Sequence, residues 1–64
     1  MKTFDVTFID KNTKENIIII RANASGKEKA IANATKSFKH THRNVNMDNI
    51  EISIKQVIVE DDYL

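Results

Sequence analysis

Residues 17–20 are four consecutive isoleucines, and no other stretch of the 64-residue chain narrows its structure so sharply. β-Branched side chains lose rotamer freedom in a helix and pack well on a pleated surface, so Ile17-Ile18-Ile19-Ile20 predicts a strand. Successive side chains of a strand point to opposite faces, which makes this one apolar on both. Whichever of the pairs Ile17/Ile19 and Ile18/Ile20 packs on a core, the other pair faces away from it.

Two further segments read as strands. Phe4, Val6 and Phe8 alternate with Asp5 and Thr7, the period-two pattern of a strand with one buried face, and place the first strand at Lys2 to Ile9. The polar stretch Asp10 to Glu15 then joins it to the isoleucine run as a hairpin loop of several residues. Ile50, Ile52 and Ile54 alternate with Glu51, Ser53 and Lys55, marking a third strand. Beyond Gln56 the pattern changes to Val57-Ile58-Val59. Either both faces become apolar there, or a bulge near Lys55 and Gln56 returns Val57 and Val59 to the core side.

Between the second and third strands the period changes to that of a helix. Ser25-Gly26-Lys27-Glu28 matches a capping box, in which Ser25 caps the helix and the Glu28 carboxylate reaches back to the Ser25 amide. Ala30, Ile31, Ala34 and Phe38 recur at three- and four-residue spacing, with Lys29, Asn33, Lys36, His40 and Arg43 on the opposite stripe. The helix is expected to end near Thr41, and Asn44 to Asn49 to form a loop. The expected core is Phe4, Val6, Phe8, the run Ile17 to Ile20, Ile31, Ala34, Phe38, Ile50, Ile52 and Ile54.

The fold class that follows is α+β: one β-β-α-β domain, residues 1–64, with a three-stranded sheet and one helix on one face. Strand order 2-1-3, all antiparallel, is favoured over 1-2-3. The solid isoleucine run argues for the alternative, because continuous apolar runs usually belong to strands covered on both sides.

Composition limits the setting. The sequence has no cysteine, so disulfides and thiolate-rich zinc sites are excluded and a reducing, cytoplasmic location is expected. Met1 to Asp10 has no long apolar run and is expected to be neither a signal peptide nor a membrane span. A bias toward Ile, Asn and Lys suits an A+T-rich source, such as a low-G+C bacterium or one of its phages or other mobile elements. The formal charge is only +1, but it is unevenly spread. Lys27 to Arg43 is basic and Asp48 to Leu64 is acidic, which gives a dipolar field.

Few residue patterns carry chemistry. His40 and His42 lie two apart, which on a helix directs them to different sides, unlike the four-residue spacing of a metal-chelating pair. Glu60-Asp61-Asp62 lacks the spaced oxygens and turn glycine of a calcium loop, and reads as a solvated tail that ends the strand. There is no nucleophilic cysteine, no serine on an elbow with a His and an acid, and a single glycine, Gly26, which rules out a glycine-rich phosphate loop. The free amides at the helix start could attract an anion, but Glu28 already competes for that charge. The expectation is a protein that is not an enzyme and carries no metal, cofactor or small-molecule substrate.

Two binding readings remain. The first is a small protein-binding module, a regulator or inhibitor, acting through Ile17, Ile18, Ile19, Ile20, Val57 and Val59. One helix covers only one face of a sheet, and a leftover apolar patch usually marks an interface; a homodimer or another protein would occupy it, through the open face or the edge of the second strand. The alternative is nucleic-acid contact by Lys29, Lys36, Lys39, His40 and Arg43, whose spacing could follow a phosphate backbone. No aromatic interleaves with these cations to stack bases, and the acidic carboxyl-terminal segment would repel a polyanion.

Overall fold

The computed structural model describes residues 1–58, which form a β-β-α-β arrangement. Strand β1 spans Lys2–Asp10, β2 Asn16–Ala24, helix α1 Lys27–Thr41 and β3 Ile50–Val57, with a short 3-10 turn at Met47–Asn49 before β3. The sheet order is β2-β1-β3, with β1 antiparallel to both neighbours. The apolar alternation of Phe4, Val6 and Phe8 thus belongs to the central strand. All three are essentially inaccessible to solvent.

The hairpin between β1 and β2 is built by Asp10. Its carboxylate accepts from the amides of Asn12 at 2.8 Å and Thr13 at 3.3 Å, and its carbonyl accepts from the Lys14 amide at 2.7 Å. Lys14 takes a left-handed conformation, φ 62°, which places a side-chain residue where glycine would be unstrained. The β1–β2 register runs from Lys2 opposite Ala24 to Phe8 opposite Ile18, then shifts so that Ile9 faces Asn16. Ile17 is the extra residue of this bulge.

The second strand is longer than the isoleucine run. Arg21-Ala22-Asn23-Ala24 continues it, with Ala22 and Ala24 buried beneath α1 beside Ala30 and Phe4. Small side chains on both the strand and the helix let the two backbones approach there. Toward the other end Val6, Phe8, Ala34, Phe38 and Ile50 make a second cluster, flanked by Ile18, Ile20, Val45, Met47, Ile52 and Ile54. The Phe8 and Phe38 rings are stacked, with centroids 4.3 Å apart and planes 1° from parallel.

Several expectations are corrected. Gly26, extended at φ −159° and ψ 173°, is the N-cap of α1, and no side chain caps the helix. The helix begins one residue later than a capping box from Ser25 requires, so Ser25 and Glu28 are out of phase with the amides they would satisfy. Ile31 is only half-buried and lies outside the two core clusters, whereas Ala30, Ala34 and Phe38 of the expected stripe are buried. Of the two readings left open for the end of β3, the bulge near Lys55 and Gln56 is the one the structure removes: the β1–β3 register is continuous from Thr3 opposite Val57 to Asp10 opposite Ile50. The segment Asn44 to Asn49 is the expected loop, ending in the 3-10 turn, and from it Val45 and Met47 pack on the core.

Candidate functional site

The sheet has one face under α1 and one without a helix among the described residues. On β2, alternation sends Ile18 and Ile20 to the covered side, where they pack on the Phe8 and Phe38 cluster. Ile17 and Ile19 are exposed on the other side, at 37% and 55%. The isoleucine run is therefore divided, and only half of it can meet a partner across the open face.

The register sorts the open face into rows. Val57, Thr3 and Asn23 make the first, Lys55, Asp5 and Arg21 the second, Ser53, Thr7 and Ile19 the third, and Glu51, Ile9 and Asn16 the fourth, with Ile17 bulged beside it. Apart from Val57, the first two rows are polar and largely self-satisfied. Thr3 Oγ1 donates to Asn23 Oδ1 at 2.8 Å, and Arg21 donates to both Asp5 oxygens, at 2.9 and 3.3 Å. That charged hydrogen bond, aided by the Arg21 and Lys55 charges and opposed by desolvation, holds the Asp5 carboxyl below its ordinary pKa. The same bond raises Arg21.

Beyond this polar half lies an apolar end of Ile9, Ile17 and Ile19 beside Thr7. Val57 also belongs to the open face, opposite Thr3, but the Lys55–Asp5–Arg21 row separates it from Ile19. It does not extend the isoleucine patch. Val59 and the acidic run Glu60-Asp61-Asp62 lie outside the described residues.

The basic residues fall elsewhere. Lys29, Lys36, Lys39 and His40 are exposed on α1, and Arg43 is exposed just past its end. Lys36, Ser37, His40 and Thr41 line an open depression of about 350 Å³ near the helix carboxyl terminus, where the helix dipole disfavours an anion. His42 lies in the exit turn of α1. It caps α1, its amide donating to the Phe38 carbonyl at 2.8 Å, while its ring stacks on Phe38 with centroids 4.6 Å apart and its Nδ1 lies 2.9 Å from Thr41 Oγ1.

Among the described residues no group of three or more His, Asp or Glu side chains is placed to hold a metal ion. No helix among them is long and apolar enough to cross a membrane. Comparison with protein-family models, with curated proteins and with solved structures finds no match to this chain.

Proposed function

We propose that this protein is a non-enzymatic protein-binding module, a small regulator or inhibitor in kind, whose open sheet face takes a partner at Ile9, Ile17 and Ile19. The observation that supports this reading is the exposure of Ile17 and Ile19 on a face that no helix among the described residues covers. Large β-branched side chains held rigidly on a sheet lose little entropy on binding, and their removal from water is favourable. The adjacent Lys55–Asp5–Arg21 row provides the polar rim common at interfaces with an apolar centre. The source proposed for such a module is a phage or mobile element of a low-G+C bacterium, and its compartment the cytoplasm.

The test compares the wild-type chain with the double variant Ile17→Thr/Ile19→Thr as bait in extracts of the source cell, with mass-spectrometric identification. A protein retained by the wild type and lost by a variant that keeps its circular dichroism spectrum supports the reading. An identical set of captured proteins contradicts it.

A second reading, nucleic-acid binding, draws on the exposure of Lys29, Lys36, Lys39, His40 and Arg43. Under it, a labelled DNA or RNA oligomer binds at low salt and is released steeply as salt rises. Absence of binding at low salt removes it.

A further inference from the structure

The two edges of the sheet differ in what they offer another chain. Strand β2 has no acidic residue between Asn16 and Ala24, its Arg21 is held by Asp5, and the bulge at Ile17 bends its edge away from regular pairing. Strand β3 is unbulged and carries one acid and one base, Glu51 and Lys55, on the same face.

The direction of the backbone groups of β3 follows from one hydrogen bond. The Lys11 amide donates to the Asn49 carbonyl at 2.9 Å, and this pair is the next step of the register that sets Asp10 opposite Ile50. In an antiparallel ladder hydrogen-bonded and non-hydrogen-bonded pairs alternate. Glu51, Ser53 and Lys55 therefore direct their N–H and C=O groups toward β1. Ile50, Ile52, Ile54 and Gln56 direct theirs to the outer edge, where no strand among the described residues pairs with them.

We propose that a second copy of this chain pairs with that edge, β3 against β3, antiparallel about a two-fold axis through Ser53. In this register Ile52 meets the second copy's Ile54, and Ile50 its Gln56, all with backbone groups pointing at each other as hydrogen-bonded pairs. Glu51 meets the second copy's Lys55, and by symmetry Lys55 its Glu51, in non-hydrogen-bonded positions where side chains approach most closely. Opposite charges placed so stabilise the pair.

Neighbouring registers are worse. Sliding by two residues one way sets Glu51 against Ser53 and Lys55 against Asn49; sliding the other way sets Glu51 against Val57 and Ser53 against Lys55. Sliding by one residue points donors away from acceptors. The strand's charges select a single alignment. Glu51 is available for it, since its contact with Lys14 is exposed and loose at 3.9 Å. Lys55 makes no ion pair among the described residues, because Asp5 is taken by Arg21.

Packing on the helix side agrees. Helix α1 lies over β2 and β1, leaving Ile52 and Ile54 only half-buried at the margin of the core. A two-fold axis normal to the sheet puts both helices on one side, with Ile52 and Ile54 of the two copies filling the strip between them. The two open faces then lie together on the other side. This pairing uses the edge opposite the isoleucine run and does not rest on the function proposed above.

Sedimentation across micromolar to millimolar concentration tests it, with fold checked by circular dichroism. The expected result is twice the chain mass, weakened about tenfold or more by Glu51→Lys or Lys55→Glu, each of which sets like charges opposite each other. The double variant Glu51→Lys/Lys55→Glu is expected to restore the dimer. Hydrogen exchange at the Ile52 and Ile54 amides should slow as concentration rises. A monomer at every concentration overturns the proposal, as does a dimer indifferent to the charge exchanges or dissociated instead by Ile17→Thr/Ile19→Thr.

Discussion

Truncating Phe38 removes the one large side chain by which α1 is anchored to the sheet. Its side chain is fully buried, between the rings of Phe8 at 4.3 Å and His42 at 4.6 Å, and its carbonyl receives the capping amide of His42. A buried Phe removes about 150–250 Å² from water, which at about 25 cal/mol per Å² corresponds to about 4–6 kcal/mol. The Cβ that alanine keeps reduces the expected loss to about 3–5 kcal/mol. A chain of 64 residues has a total stability of about 3–10 kcal/mol, so Phe38→Ala should leave the fold marginal or lost. With a urea slope of about 1 kcal/mol per M for so small a domain, the unfolding midpoint should fall by about 3 M or the transition should vanish. Ile31→Ala, on the same helix but half-exposed, should cost distinctly less. A Phe38→Ala midpoint within about 0.5 M of wild type would show that this ring does not anchor the helix.

Three smaller perturbations probe particular contacts. Lys14→Gly relieves a left-handed backbone position at the cost of a more flexible unfolded chain, and should raise stability by up to about 1 kcal/mol in chemical denaturation; the loose contact to Glu51 is too exposed to offset this. Asp5 has a lowered pKa in the folded protein, so its contribution is fully present above the unfolded carboxylate pKa and is lost as pH falls through the folded value. The denaturation gap between wild type and Asp5→Asn should accordingly be open at neutral pH and close on acidification. Ser25→Ala should change the thermal midpoint little, because no side chain caps α1, whereas a loss of about 1 kcal/mol would mean that the hydroxyl caps the helix after all.

The isoleucine run illustrates how far residues alone can carry the argument. Its strand character, and the consequence that one pair must face away from the core, follow from β-branching and the period of two. Which pair does so depends on the register with β1, a long-range fit that no local pattern encodes. Likewise the extension of β2 through Ala22, Asn23 and Ala24 is opposed by local propensity and is won by packing, since only small side chains fit beneath Ala30. The Ser25–Glu28 spacing was a true match to a capping motif, yet the chain enters α1 at Gly26, one residue out of phase. For the candidate surface, the exposure of one isoleucine pair was legible, but not that the pair is Ile17 and Ile19. The separation of Val57 from them was not, because it arises from a row contributed by three strands, Lys55, Asp5 and Arg21.

Binding of a protein partner at the apolar end of the open face can be followed by isoleucine-methyl NMR of the labelled chain titrated with the protein that the wild-type bait captures. On binding, the methyl signals of Ile9, Ile17 and Ile19 should shift or broaden while those of Ile18 and Ile20, turned toward the core, move far less. Perturbations confined to the α1 amides from Lys29 to His40, with Ile17 and Ile19 unmoved, would contradict binding at the open face.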